Sequence, residues 1–105
     1  VVRVTVIVEL SIVPIGEGVS LSGLLAHAVK ELQRHGVGYE VTPMCTVFEA
    51  ESLKEAFKIA EAAHESLFKA GAKRVLTTVK VDDRRDVERH MEDKVRSLRE
   101  ALKKV

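Results

Sequence analysis

The stretch "YEVTPMCTVFEAE", residues 39–51, decides the fold. Its β-branched and aromatic residues favour a strand, yet Pro43 stands near the middle, where a central strand would lose a ladder hydrogen bond. Three readings compete: one kinked strand, a hairpin, or irregular backbone along a binding site. The flanking chain chooses among them.

Upstream, residues 2–13 alternate cleanly. Val2, Val4, Val6, Val8, Leu10 and Ile12 share one face, and Arg3, Thr5, Ile7, Glu9 and Ser11 share the other, the signature of a half-buried strand. Pro14 and Gly16 are expected to stop it. From Ser20, the apolar residues Leu21, Leu24, Leu25, Ala28, Val29 and Leu32 recur at helical spacing, and Gly36 supplies a C-terminal stop.

Downstream, Ser52-Leu53-Lys54-Glu55 has capping-box spacing. The serine oxygen is expected to accept from the Glu55 amide while the carboxylate reaches back to the serine amide. The helix runs through Ala56, Phe57, Ala60, Ala63, Leu67 and Phe68 to Gly71. Residues 73–81, "KRVLTTVKV", form the next strand, and "DDRRD" leads into a third helix with the narrow apolar stripe Met91, Val95, Leu98 and Leu102. Such a stripe is expected to dock on something already folded.

This order places two strands between the first two helices. The plan is α+β: a ferredoxin-like βαββαβ antiparallel sheet with two helices on one face, plus an extra C-terminal helix, in a single domain over residues 1–105. The opening stretch then reads as a hairpin, Tyr39–Thr42 against Thr46–Ala50, bent at Pro43 and Met44. The other sheet face stays open and carries Ile7, Glu9, Ser11, Leu76, Thr78 and Lys80, a mixture suited to an oligomer interface or a ligand wall.

Bulk properties narrow the function classes. The chain has 105 residues, 46% hydrophobic, 31% charged and 4% aromatic, with 17 basic and 16 acidic side chains and a formal net charge of +1. That balance gives no electrostatic footprint for nucleic acid or an anionic membrane, and no apolar run approaches a membrane span. A lone cysteine, Cys45, excludes an intrachain disulfide framework, and no signal-peptide pattern is present, so the expected compartment is the cytoplasm. The absence of Asn and the single Gln33, beside abundant Lys, Arg and Glu, resemble a thermophile's composition.

Chemistry-bearing residues give no catalytic constellation. His27, His35, His64 and His90 fall on helices or their ends without metal-site spacing to each other or to Cys45, and they read as surface or partly buried histidines. Cys45 reads as a small buried hydrophobe. In "DDRRD", an aspartate is expected to cap the third helix while Arg84 and Arg85 pair locally; the alternative is that one of these arginines binds an anion or a neighbouring subunit. Gly16 and Gly18 lack the rest of a phosphate-loop signature. The aromatics do not form an RNA-stacking platform, and an acylphosphatase-like site lacks its asparagine.

Three segments carry a family resemblance. "PIG" after the first strand, "YEVTPMCTVFEAES" between the helices, and "AAHESLFKAGAKRVLTTVKVDDRRD" together resemble the small thiamine-binding, YkoF-like proteins. The resemblance implies a ferredoxin-like homo-oligomer, dimer or tetramer, that binds thiamine or its hydroxymethylpyrimidine moiety without transforming it, and it implies no cofactor. The family pattern P-M-G-T-x-x-E has Gly where this chain has Cys45. For such a ligand, Thr42, Thr46 and Glu49 offer polar groups near the bend, Tyr39 offers a ring with a polar tip, and Ser11 with the Pro14–Gly16 loop closes the site. A structural or regulatory oligomerisation module is the competing reading. An enzyme using Glu49 as base and Arg84 or Arg85 as anion binder is a third.

Overall fold

The computed structural model describes residues 5–16, 21–88 and 90–105. In chain order it contains β1 (Thr5–Pro14), α1 (Leu21–Arg34), β2 (Tyr39–Val41), β3 (Thr46–Ala50), α2 (Leu53–Lys69), β4 (Val75–Arg84) and α3 (Met91–Leu102). The expected starts of the first strand at Val2 and of the first helix at Ser20 lie outside the described residues. The four strands form one antiparallel sheet in the order β2-β3-β1-β4, the α+β, ferredoxin-like plan expected of the sequence.

Alternation on β1 sends Val6, Val8, Leu10 and Ile12 under the helices. Their cross-strand partners share that face, so Val8 meets Phe48 on one side and Val81 on the other. From α1, the residues Leu24, Ala28 and Leu32 complete the core, and α2 adds Ala56, Ile59, Ala60, Ala63 and Leu67. The alanines let α2 lie close to the sheet. α1, in contrast, packs chiefly on α2 and only lightly on β1.

The hairpin reading of residues 39–50 holds: β2 and β3 pair through Tyr39↔Phe48, Glu40↔Val47 and Val41↔Thr46, with Pro43 and Met44 in the turn. Gly36, at φ +68°, follows the end of α1, where its lack of a Cβ permits the left-handed turn.

Four expectations are corrected. β1 includes Pro14, which sits opposite Val75 on β4 while β3 has already ended at Thr46; its missing donor faces an unpaired edge and forfeits no ladder bond. β4 continues past Val81 through Asp82, Asp83 and Arg84, because β1 still offers Ile7, Val6 and Thr5 as partners; charged side chains suit a strand at the sheet edge. No aspartate of "DDRRD" caps α3, since the N-cap position is His90, whose backbone N–H donates to Asp93 Oδ2 at 2.9 Å. At α2, Ser52 Oγ accepts from the Glu55 amide at 3.0 Å as expected, but Glu55 Oε1 accepts from the Glu51 amide at 3.3 Å.

α3 is attached by its first turn. The Met91 N–H donates to Glu49 Oε1 at 2.6 Å, and Lys94 pairs with Asp82. Beyond that turn the stripe does not dock: Val95, Leu98 and Leu102 are exposed, and α3 buries no residue. Among the described residues no helix is long and apolar enough to cross a membrane.

Candidate functional site

The irregular turn at residues 42–45 is built by one hydroxyl. Thr42 Oγ1 donates to the Cys45 carbonyl at 2.8 Å and accepts from the amides of Cys45 at 3.1 Å and Met44 at 3.3 Å. The Thr42 amide also donates to the Cys45 carbonyl at 2.8 Å. A threonine here closes the turn by the side-chain mimicry that makes Ser and Thr turn residues. Its hydrogen-bonding capacity is thereby largely spent.

Between this turn, the last residues of β1 and the inner face of α1 lies a cavity of about 240 Å³. Two features open it: β3 is shorter than β1, and α1 stands away from the sheet. Leu25, Ala28 and Leu32 form its helical wall, and Leu10 to Pro14 form its floor. Its polar members are Ser11, Thr42, Cys45 and Thr46; among the described residues the lining holds no charged side chain. Such a chamber suits a neutral, flat, mostly apolar group with a few polar edges.

Of the residues expected to bind ligand, the structure brings Thr42 and Thr46 to this cavity, and Ser11 borders it as part of β1 while the pleat turns its side chain to the open face. Tyr39 and Glu49 lie outside it. The Tyr39 hydroxyl accepts from Gln33 Nε2 at 2.8 Å, which ties β2 to the end of α1. Glu49 holds the start of α3 through Met91 and faces His90 Nδ1 at 3.4 Å. Arg84 pairs with Asp86 at 2.7 Å and Arg85 with Asp83 at 2.9 Å, so each guanidinium is locally compensated. Sequence reasoning missed the apolar half of the cavity, because Leu25, Ala28 and Ile12 carry the same helical and strand periodicity as the core.

Around Glu49 lies a second, polar hollow of about 270 Å³, lined also by His35, Glu51, Glu55 and His90. Burial works to lower the His90 pKa, but the carboxylates of Glu49 and then Glu88 outweigh it and raise the pKa above the ordinary histidine value. No group of three His, Cys, Asp or Glu side chains among the described residues is arranged to hold a metal ion.

Known proteins resemble this chain over most of its length. The family model described as "Thiamine-binding protein" matches residues 8–99. The chain belongs to the thiamine-binding protein family. A UPF0045 protein of Methanothermobacter thermautotrophicus is 45% identical over 95 residues, covering 90% of this chain and 96% of that one. The UPF0045 protein YqgV of Bacillus subtilis is 37% identical over 101 residues, covering 91% and 96%. Among solved structures, a hypothetical protein from Methanocaldococcus jannaschii superposes with a TM-score of 0.81 at 31% identity, over 90% of this chain and 95% of that one. A Thermotoga maritima protein named for thiamine biosynthesis/salvage superposes with a TM-score of 0.76 at 26% identity, over 90% and 98%. Cys45 also lines the cavity, with Sγ 3.6 Å from Thr42 Oγ1.

Proposed function

We propose that this protein is a non-enzymatic, oligomeric, cytoplasmic binding protein for thiamine or its hydroxymethylpyrimidine moiety, held in the cavity between β1, α1 and the β2–β3 turn. The observation that carries this reading is the cavity, whose described lining holds no charged side chain, in a member of the thiamine-binding family. At about 240 Å³ it lies below the roughly 300–1,000 Å³ of pockets for drug-sized ligands. One ring with its substituents fits that size better than the whole of thiamine. The aminopyrimidine enters, and the thiazolium, a permanent cation with no carboxylate or aromatic face in the described lining, stays at the mouth.

Thr46, on the helix-facing side of the sheet with Leu10, supplies a side-chain hydroxyl, Ser11 borders the cavity from β1 with its side chain on the open face, and Thr42 shapes the turn. Tyr39 and Glu49 act at one remove, by fixing α1 and α3. The bare stripe of α3 and the open sheet face, where Leu76 and Val13 are exposed, supply surface for a homo-oligomer, with Arg84 and Arg85 at its edge as candidate subunit contacts. That same bare stripe favours the second reading, an oligomerisation module without a dedicated ligand.

Thermal unfolding with thiamine, its phosphates and hydroxymethylpyrimidine separates the two. A ligand that binds only the folded state stabilises it by about 2.7 kcal/mol at a hundredfold excess over its Kd. Thiamine and the pyrimidine are expected to raise the transition in a concentration-dependent way. No shift at millimolar concentration of any of these compounds would leave the oligomerisation module.

A further inference from the structure

We infer that the recognition edge of the cavity is main chain: the N–H and C=O of Ile12 form a donor–acceptor pair that reads the amine-bearing edge of a 4-aminopyrimidine. This rests on the proposed ligand class but goes beyond it, because it names the atoms that select the ring.

The direction of these groups follows from the ladder. The Thr42 N–H donates to the Cys45 carbonyl at 2.8 Å and the Glu49 N–H to the Gly38 carbonyl at 3.0 Å, so positions 45, 47 and 49 turn their backbone groups toward β2. In an antiparallel strand the hydrogen-bonding direction alternates, so 46, 48 and 50 turn theirs toward β1. Their partners are Leu10, Val8 and Val6. The even positions of β1 therefore aim at β3 and the odd ones at β4. The opposite edge agrees, since the Ile15 N–H donates to the Arg74 carbonyl at 2.9 Å.

Ile12 is the next even position, and β3 has already ended at Thr46. Its N–H and C=O thus aim into the gap between β1 and the turn. Among the described residues the turn returns no backbone hydrogen bond to it. Ile12 is only 8% exposed and lines the cavity. A buried backbone donor and acceptor without partners carry a cost of desolvation, and native structures rarely leave them so. Pro14, the following even position, has no N–H, so no second donor competes.

A ring nitrogen beside an exocyclic amine presents the complementary pair: the nitrogen accepts from the Ile12 N–H, and the amine donates to the Ile12 carbonyl. This is strand addition reduced to one residue, with a heteroaromatic ring in place of the missing strand. The side chain is not what recognises, so selectivity would survive Ile12→Val.

The test is calorimetric titration of the intact protein with 4-amino-5-hydroxymethyl-2-methylpyrimidine, its deamino analogue and its 4-oxo analogue, alongside the ¹⁵N–¹H signal of the Ile12 amide. Losing one net hydrogen bond and leaving its partner buried weakens binding by about tenfold or more. The deamino compound is expected to lose at least that factor and the oxo compound more, and the aminopyrimidine is expected to shift the Ile12 amide downfield. Equal binding of all three compounds, or an Ile12 amide that does not move while the aminopyrimidine binds, would overturn the main-chain assignment and leave the thiamine reading standing. If neither thiamine nor the aminopyrimidine binds, both fall together.

Discussion

Thr42 shows how much one side chain can do for this site. Its hydroxyl makes three hydrogen bonds within residues 42–45, and these define the turn that walls the cavity. Thr42→Val keeps the shape and removes the oxygen. The expected result is a loss of about 1–2 kcal/mol in urea unfolding, with weaker thiamine binding as the turn loosens; an unchanged midpoint would show that the backbone holds the turn alone. His90 is a second informative residue. Its raised pKa means that the folded protein holds the proton more tightly than the unfolded chain. The associated stabilisation is therefore complete below the ordinary histidine value and is lost as pH rises through the folded value. Glu49→Gln removes the nearer carboxylate, so an NMR titration of the His90 ring should show its pKa falling; no change would remove Glu49 as the cause.

At the scale of elements, α3 is fastened through its first turn. The Glu49 carboxylate sits where the first free amide of the helix and its dipole both favour an anion, and the apolar stripe beyond is left bare. If that stripe joins subunits, Leu98→Asp should leave the stability of the fold within about 0.5 kcal/mol, as for an exposed position. Sedimentation should at the same time show dissociation to monomer. An unchanged mass would detach α3 from assembly. The elements themselves were legible in the sequence wherever periodicity and capping agreed: β1, α1, α2 and the hairpin around Pro43. The length of β4 was not, because "DDR" reads as a loop locally and becomes strand only when the far end of β1 lies beside it. The capping of α3 was also hidden, since its anchor, Glu49, is more than forty residues away in the chain.

For the molecule as a whole, the candidate site is a consequence of mismatch. A ten-residue β1 faces a five-residue β3, and α1 leans on α2 rather than on the sheet. The remaining volume becomes a largely apolar chamber along the part of β1 that β3 does not reach. The family resemblance together with the bend nominated Ser11, Thr42 and Thr46, but strand lengths and helix tilt set the walls of the cavity, and neither is written in any local pattern. The same reasoning grouped Tyr39 and Glu49 with them because all lie close in sequence; the pleat turns Glu49 to the opposite face of the sheet, while Tyr39 lies farther along β2, against Gln33. The most direct test of the central claim is a backbone amide shift titration of the intact protein with thiamine. The account predicts saturable shifts confined to residues 10–14, the inner face of α1 and residues 41–46. Shifts centred instead on Glu49, His90 and the polar hollow, or no saturable shift at all, would contradict it.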